Sequence, residues 1–299
     1  MTLRHLRVFI AVAENGKMSA AAEKLYIAQP SVSQAIAEIE EQYGGKLFER
    51  LSRKLYLTPL GEQLLGYARH IISLYDEMDT QLKNSASAAI LKIGATVTVG
   101  TCVICPILNK LKSVNPELTA HVQIGNTRDI EEKLMRSELD IGLVEGKVKS
   151  SDLIYEPVIS DELLLVCSPK HRLSACSSVN AQDLSSEPMV VREKGSGTRE
   201  LFENYLLLHG IHINESWVCN NSEAIKNAVI DNQGLTVISR RLVAKELSRK
   251  TLVSIPIRDG IMSREFSLVY HKNKYLTSSI EEFICICREF EKSNPSGSV

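Results

Sequence analysis

The stretch SAAAEKLYIAQPSVSQAIAEI, residues 19–39, decides the fold of the N-terminal part of this chain. Ser19 can cap a first helix, which strong helix formers continue to about Tyr26. Pro30 suits the first turn of a second helix, because the N–H group that proline lacks would find no partner there. Apolar residues of the second helix recur at helical spacing and form its core face: Val32, Ile36 and Ile39. This pattern predicts a DNA-binding helix-turn-helix.

The opposite face of the second helix is polar. It offers small hydroxyl groups and amides that can reach base edges and phosphates in the major groove. The residues of this face that we predict to bind DNA are Gln29, Pro30, Ser31, Ser33 and Gln34. The alternative is an ordinary helical hairpin with a solvated face, since short matches to this motif are frequent by chance.

A basic hairpin follows the motif. Two short apolar runs on either side of Ser52–Lys54 predict a two-stranded wing within residues 46–58. Four basic residues stand there against Glu49 alone, a local charge of plus three. Such a cluster beside a recognition helix suits phosphate contacts, so we predict that the wing binds DNA through Arg50, Arg53 and Lys54. A solvated basic turn is the alternative.

The charge of the predicted DNA-binding part is modest. Residues 1–60 hold eight Lys or Arg and six Glu, a net charge of plus two. Non-specific affinity for double-stranded DNA should therefore be weak. Binding to an operator or promoter should need two or more copies of the domain acting together.

A long amphipathic helix is predicted from Pro59 to about Ser85, with Thr58 as its cap. Its apolar residues recur at steps of three and four, which is typical of a coiled-coil seam. Packing of this stripe against its own domain is the alternative. Charged residues on the other faces favour a projecting helix, and we predict a homodimer or homotetramer. The predicted dimerisation residues are Leu60, Leu64, Ile71, Tyr75, Met78 and Leu82.

The first 84 residues resemble the DNA-binding end of LysR-type transcriptional regulators. The resemblance rests on LRHLRVFIAVAENGKMSAAAEKLYIAQPSVSQAIAEIEEQYGGKLFERLSRKLYLTPLGEQLL, which includes the helix-turn-helix, the LFER wing and the LTPLG junction. Ala28 departs from the Thr or Ser that often precedes the glutamine in that family, and Gln34 stands where many relatives carry Arg. The resemblance implies a winged helix-turn-helix domain at 1–58 and RNA polymerase as a further partner.

It also implies the organisation of the remaining chain. A linker or dimerisation helix with a hinge would occupy residues 59–89, and an effector-binding domain residues 90–299. The expected fold is α/β with an N-terminal all-α winged helix-turn-helix domain, a long linker helix and a two-lobed domain like a periplasmic binding protein.

Composition agrees with this organisation. The chain has 299 residues, 44% of them hydrophobic, and a net charge of minus one, which predicts a soluble globular protein with an ample core. Because no apolar run reaches 18 residues, we expect no membrane partner. The N-terminus is predicted to be an amphipathic helix rather than a signal peptide, because its apolar region is interrupted by Arg4, His5 and Arg7. Seven cysteines, an odd number, predict no disulfide framework and favour the cytoplasm.

Strands and helices alternate after the small residues at 85–89, which we predict to be a hinge. The first βαβαβ unit has predicted strands at 91–95, 120–124 and 140–144 and helices at 106–114 and 130–136. A second alternation of strands and helices follows, with predicted strands at 189–191, 217–219 and 235–238 and helices at 199–208 and 222–230. Apolar strands at 163–167 and 266–270 are the predicted crossovers, and a helix at 279–290 returns to the first lobe. Lobe I is therefore expected at about 90–161 and 267–299, and lobe II at about 162–266.

Ligands of such sheets bind beyond the carboxyl ends of the strands, where loops lead into helix N-termini. Three predicted loops meet this description: residues 96–101, 192–199 and 220–222. They would surround a small anion with hydroxyl groups, backbone N–H donors and one arginine. The predicted effector-binding residues are Thr96, Thr98, Val99, Gly100, Arg192, Ser196, Gly197, Thr198 and Asn221. The alternative is that these residues only cap helices.

These patterns together predict a LysR-type regulator whose operator binding, and promoter activation or repression, respond to a small anionic metabolite. The segment REKGSGTRELFE resembles family members linked to sulfur or nitrogen assimilation. A solute-binding module is disfavoured by the helix-turn-helix. An enzyme is disfavoured because no nucleophile, base and acid form a set, and we expect no cofactor and no metal. Cys102 and Cys105 could form a redox pair, but buried apolar packing is the favoured interpretation.

Overall fold

A computed structural model describes residues 1–51, 54–83, 90–258, 260 and 262–293. The chain forms two compact units, one built from the N-terminal region up to Lys83 and the other from most of the residues after Ile90. Arg53 and the predicted hinge at 85–89 lie outside the described residues.

The N-terminal unit contains the predicted helix-turn-helix and wing. Its elements are α1 (Leu3–Asn15), α2 (Met18–Leu25), α3 (Gln29–Tyr43), β1 (Phe48–Leu51), β2 (Lys54–Leu57) and α4 (Pro59–Lys83). The prediction that Ser19 caps the first helix of the motif is wrong. Because Gly16 ends α1 in a left-handed conformation, the chain turns early, α2 begins at Met18 and Lys17 takes the cap position. Tyr26, with φ 54°, ends α2 where the sequence predicts.

The apolar stripe of α3 forms the core of this unit, since Val32, Ile36 and Ile39 are all buried. The wing is attached to the helices in two ways. The rings of Phe9 and Phe48 lie 5.4 Å apart, and the N–H of Leu55 donates to the carbonyl of Gly16 at 2.9 Å. The strands of the wing are thereby held against the helices of the motif.

Thr58 caps α4 as the sequence predicts. Its hydroxyl accepts the N–H of Gly61 at 3.1 Å and donates to the carbonyl of Lys46 at 2.6 Å. A side chain at Gly61 would place its Cβ 2.2 Å from the carbonyl oxygen of Leu47, so only glycine allows this close approach. The start of the long helix is therefore fixed to the wing.

The second unit is an α/β domain. Its first half contains β3 (Ile90–Thr96), α5 (Val97–Cys102), α6 (Ile104–Val114), β4 (Thr119–Gly125), α7 (Thr127–Met135), β5 (Ile141–Val144) and β6 (Leu153–Cys167). Short 3₁₀ turns at Arg172–Ala175 and Ala181–Leu184 follow. Its second half contains β7 (Met189–Arg192), α8 (Gly197–Leu208), β8 (Glu215–Cys219), α9 (Ser222–Ile230), β9 (Thr236–Ser239), α10 (Arg240–Ser248), β10 (Val253–Ile255), β11 (Met262–His271) and α11 (Ser278–Ser293).

Strands β6 and β11 run through both lobes. The main sheet has the order β10, β6, β11, β5, β3, β4, with β9 also paired to β6. Strand β3 is parallel to β4 and β5, whereas β6 and β11 are antiparallel to each other. Strand β6 pairs with β11 over its first part and with β9 and β10 near its end. These two long strands are the crossovers that the sequence predicts.

Each lobe has its own apolar core. In lobe I, helices α6 and α11 pack on the sheet around Ile93, Ile107 and Phe283. In lobe II, one cluster lies around Phe202 and another around Val229. The prediction of a loop at 96–101 is wrong. This segment is helix α5, because Val99 and Val103 are buried in the lobe I core and hold it against the sheet.

Candidate functional site

Helix α3 presents every predicted DNA-binding residue of the motif on its exposed face. Gln29, Pro30, Ser31, Ser33 and Gln34 are exposed, while Val32 between them is fully buried. The side-chain amide of Gln34 donates to Glu38 at 2.9 Å, and the other oxygen of Glu38 lies 3.3 Å from His5 Nε2. These contacts with Glu38 and His5 fix the orientation of the Gln34 side chain on the helix surface. Ala28, at the N-cap, makes no side-chain hydrogen bond to the first turn.

The wing carries exposed basic residues on both strands. Arg50 lies on β1 opposite Leu55, and Lys54 begins β2 opposite Leu51. Lys54 and Arg50 can therefore approach phosphates from the hairpin. Arg53, predicted to bind DNA with them, lies outside the described residues.

The apolar seam of α4 divides into two parts. Leu60 and Leu64 are half-buried and pack against the core of their own unit, as the alternative interpretation expects. Ile71, Tyr75 and Met78 are exposed by 41%, 39% and 47%. The side chain of Leu82 lies outside the described residues. The exposed second part is the surface on which a partner helix could pack.

Some of the predicted effector residues of the second unit lie between the two lobes. Gly146, just after β5 in lobe I, packs against Gly197, at the start of α8 in lobe II. A Cβ on Gly197 would lie 2.6 Å from Gly146 Cα and 2.8 Å from the carbonyl oxygen of Glu145. The two backbones are therefore in direct contact across the cleft.

Arg264 connects the two lobes beside this contact. It lies on β11 opposite Asp161 of β6, and its Nε donates to Asp161 Oδ2 at 2.8 Å. Its Nη1 donates to Thr198 Oγ1 at 2.7 Å and its Nη2 to Thr98 Oγ1 at 3.4 Å. Arg264 Nη2 is also 3.1 Å from Glu145 Oε2. Two predicted effector residues, one from each lobe, thus share one buried guanidinium.

Arg192, at the end of β7, belongs to the same buried group. Its Nε and Nη2 donate to the two carboxylate oxygens of Glu193 at 2.8 and 3.0 Å, and its Nη1 is 3.7 Å from Glu145 Oε1. Burial works to raise the pKa of Glu193, but the hydrogen bonds from Arg192 outweigh it and the pKa is lowered. Glu193 is therefore ionised at neutral pH. We call the following residues the cleft cluster: Thr98, Glu145, Asp161, Arg192, Thr198 and Arg264.

Three buried hydroxyl groups next to the cleft cluster have no hydrogen-bond partner among the described residues. They belong to Thr96 at the end of β3, Thr127 at the start of α7 and Ser196 just before α8. Buried hydroxyl groups in proteins normally have a partner, from the protein, from water or from a ligand. Two of the three were predicted as effector residues from the sequence.

A cavity of about 480 Å³ lies between the lobes beside this region. It is lined by Val97, Thr101, Ile124, Gly125, Asn126, Asp129, Glu193, Asn220, Asn221, Ser222 and Glu223. The side chain of Asn221 caps α9, since it accepts the N–H groups of Glu223 and Ala224 at 2.9 and 3.2 Å. Asn221 therefore forms part of the wall while it holds the helix end.

Two predicted effector residues have packing roles. The side chain of Val99 is fully buried in the lobe I core, so it does not reach the cleft. Gly100 allows close packing, because a Cβ there would lie 2.4 Å from Ile124 Cδ1. Helix α5 turns both residues towards the sheet, which the predicted loop would not do.

The sequence reasoning missed four residues of this site. Glu145 directly follows a predicted strand and Thr127 lies three positions after another, so the rule that selected the three loops could also have selected them. Asp161 and Arg264 each lie two positions before a predicted apolar strand. A charge so close to a buried strand was the available signal, but their pairing depends on the register of β6 and β11.

Cys102 and Cys105, for which apolar packing is favoured over a redox pair, differ in exposure: Cys102 is half-buried and Cys105 is exposed. Burial, followed by the nearby charge of Asp161, raises the pKa of Cys102 to about 11. Cys102 is therefore a protonated thiol at neutral pH. Among the described residues, no group of three or more His, Cys, Asp or Glu could hold a metal ion. None of the described helices is long and apolar enough to cross a membrane.

A winged helix-turn-helix, a long helix and a two-lobed α/β domain with a polar cleft define a DNA-binding regulator with a ligand-binding domain. Residues 3–62 match the family model "Bacterial regulatory helix-turn-helix protein, lysR family", and residues 85–292 match "LysR substrate binding domain". The chain belongs to the LysR family of transcriptional regulators. It is a DNA-binding regulator with an effector-binding domain, not an enzyme.

Similar proteins span nearly the whole chain. The chain is 32% identical to the HTH-type transcriptional regulator CysL of Bacillus subtilis, over 95% of both sequences. Its fold is similar to full-length OxyR of Pseudomonas aeruginosa, with a TM-score of 0.66 and 21% identity over 96% of this chain and 95% of that one. The C-terminal unit is also similar to the regulatory domain of Synechocystis CcmR in complex with 2-PG, with a TM-score of 0.64 and 23% identity. The match covers 69% of this chain and 99% of the CcmR chain.

Proposed function

We propose that this protein is a one-component regulator that binds a small molecule with an anionic group in the cleft of its C-terminal unit. The observation that carries this proposal is the set of three buried hydroxyl groups beside the cleft cluster that have no hydrogen-bond partner among the described residues, together with the buried guanidinium groups of Arg192 and Arg264 in that cluster. Hydroxyl groups and guanidinium groups are suitable donors for the oxygens of an anion. The 2-PG complex of CcmR, a protein of the same fold, supports a small ligand in such a domain.

The cleft offers a physical route from ligand to DNA. A ligand can change the protein only if it binds one arrangement of the lobes more tightly than another. Groups from both lobes surround the proposed ligand, so its binding would favour the arrangement in which Gly146 and Gly197 touch. Such a bias of 1–3 kcal/mol, a typical order of magnitude for allosteric coupling, corresponds to about 5–150-fold in affinity.

On the DNA side, we propose that α3 reads bases and that the wing contacts phosphates. A homodimer or homotetramer, joined through the exposed part of α4 around Ile71, Tyr75 and Met78, would place two α3 helices on one operator. RNA polymerase would be a further partner at the promoter, and the protein would act in the cytoplasm. The proposed ligand is a metabolite of sulfur or nitrogen assimilation.

Ser196→Ala is the most direct test of the cleft. The full chain would be screened by thermal shift against sulfite, sulfate, thiosulfate, O-acetylserine and common carboxylates. At least one anion should raise the melting temperature of the wild type, and this increase should shrink in Ser196→Ala and in Thr98→Ala. Ser113→Ala, which removes an exposed hydroxyl bound only to a carbonyl of its own helix, is the matched control. No stabilisation by any anion, or equal shifts in all variants, would contradict the proposed site.

The proposed reading of DNA is tested separately on α3. Ser33→Ala combined with Gln34→Ala should weaken binding to the operator more than binding to a random duplex of equal length, because base contacts are lost and phosphate contacts are kept. The operator would first be selected from genomic fragments by the purified protein. Equal losses on both duplexes would contradict direct base reading by these residues.

A further inference from the structure

We propose that the ligand of the cleft donates a hydrogen bond to Glu145. The site would then select anions or zwitterions that carry an O–H or N–H group next to the anionic group, and would reject anions without a donor, such as sulfate. This inference rests on the proposed function, since it names the ligand class of the same cleft.

Glu145 is a buried carboxylate that is paired by charge but not by hydrogen bonds. Its side chain is 1% exposed. Its two oxygens lie 3.7 Å from Arg192 Nη1 and 3.1 Å from Arg264 Nη2. Among the described residues, Oε2 accepts no hydrogen bond of normal geometry. Buried carboxylates in proteins are normally hydrogen-bonded as well as paired, so this oxygen requires a donor from elsewhere.

The second buried carboxylate of the cleft cluster shows the contrast. Asp161 accepts a hydrogen bond from Arg264 Nε at 2.8 Å and another from the hydroxyl of Ser239 at 2.7 Å. Its two oxygens are thus each satisfied by a donor from the protein. Asp161 holds the cluster together, whereas Glu145 keeps an acceptor for a ligand.

Two of the buried hydroxyl groups that have no hydrogen-bond partner among the described residues lie near Glu145. Thr127 Oγ1 would be 2.8 Å from a Cβ on Gly146, the residue after Glu145. Ser196 precedes Gly197, which packs on Gly146 and on the carbonyl of Glu145. Hydroxyl groups can donate to the oxygens of a ligand, but the carboxylate of Glu145 can only accept. A ligand that satisfies the whole group must therefore present both acceptors and a donor.

The charges of the cleft cluster favour the same ligand class. Arg192 and Arg264 face Glu145 and Asp161, and Arg241 Nε lies 3.6 Å from Asp161 Oδ1, so three positive charges meet two negative charges. Glu193 adds a further carboxylate on Arg192. No positive charge is left over to neutralise a dianion, and an uncompensated buried charge is strongly unfavourable. A monoanion with a donor, or a zwitterion, leaves less charge uncompensated.

Matched ligand pairs test this inference on the full chain. Dihydrogen phosphate, which predominates in slightly acidic buffer, and sulfate share a tetrahedral shape, but only the phosphate carries O–H donors. L-Alanine and propionate have the same carbon chain, but only alanine carries an ammonium donor. Affinities would be measured by calorimetry and by thermal shift. In at least one pair the donor-bearing member should bind at least about tenfold more tightly, since a buried polar group left unpaired is costly.

Glu145→Gln tests the assigned residue. The amide keeps the shape of the side chain and adds a donor, so the preference should fall to about threefold or less, or turn in favour of sulfate. Glu162→Gln, which removes an exposed carboxylate paired with Arg240, is the control and should keep the preference. Equal binding of both members of each pair by the wild type would overturn the inference and leave the proposed function intact. A preference retained in Glu145→Gln would overturn the role of Glu145. No binding of any anion by the wild type would contradict the proposed function itself.

Discussion

Gly197→Ala should open the cleft while leaving both lobes folded. The new methyl group would lie 2.6 Å from Gly146 Cα, 2.8 Å from the carbonyl oxygen of Glu145 and 2.9 Å from the amide nitrogen of Gly146. All three are backbone atoms, which cannot rotate away as a side chain can. Because ordinary contact begins near 3.4 Å, the two loops must separate by roughly 0.8 Å.

The magnitude follows from two opposing effects. Overpacking of this kind costs about 1–3 kcal/mol when neighbours cannot move, and here the cost falls on the arrangement in which the lobes touch. Gly197 is the first residue of α8, and alanine favours a helix by about 1 kcal/mol over glycine. The folded lobes should therefore keep their stability, and the population with a closed cleft should fall by about 5–150-fold.

Amide hydrogen exchange measures this opening without a ligand. Exchange should become faster in peptides that cover 145–147 and 193–198, whereas peptides from the lobe cores should not change. Gly66→Ala is the control, because a Cβ there would meet no described residue within 4 Å outside the adjacent backbone of its own helix and no local opening is expected. Unchanged exchange at 145–147 in Gly197→Ala would refute the view that this contact closes the cleft.

Three further measurements test the supporting structure. Thr58→Ala removes the cap of α4 and its link to the wing. It should lower the free energy of unfolding, measured by urea denaturation, by about 1–2 kcal/mol. A loss below about 0.3 kcal/mol would count against the cap. Hydrogen bonds from Arg288 lower the pKa of Glu156, so this pair stabilises the protein at neutral pH and the benefit is lost as the pH falls through the lowered pKa. Arg288→Met should therefore cost about 0.2–1 kcal/mol near pH 7 and progressively less in acid; a difference that is constant with pH would contradict the ion pair. Because burial raises the pKa of Cys102 from 9.0 to about 11, native Cys102 should be alkylated about a hundredfold more slowly than in denaturant, and equal rates would contradict its burial.

The sequence predicts the regular elements well where apolar periodicity is strong. The stripe of Val32, Ile36 and Ile39 locates α3, and Pro59 after Thr58 locates the start of α4. Both are local signals, because helix formation, capping and the direction of a helical face depend on residues a few positions apart. The same reasoning selects Thr96 and Ser196, from the ends of their strands, as residues of the proposed ligand site.

Long-range packing decides what the sequence could not show. Residues 97–101 contain hydroxyls and a glycine, as a loop would, but burial of Val99 and Val103 holds them as a helix. Arg264 and Asp161 are 103 positions apart and become partners only through the register of two antiparallel strands. No periodic pattern reveals that register, so the central guanidinium of the cleft appears only in the folded structure.

The coupling between cleft and DNA is tested most directly by operator affinity with and without the ligand that stabilises the protein best. Saturating ligand should change the affinity of the wild type for its operator by about 5–150-fold. Ser196→Ala should bind the operator as the wild type does without ligand and respond much less at the same ligand concentration. An unchanged operator affinity of the ligand-saturated wild type, or an equal response in Ser196→Ala, would contradict control of DNA binding through this cleft.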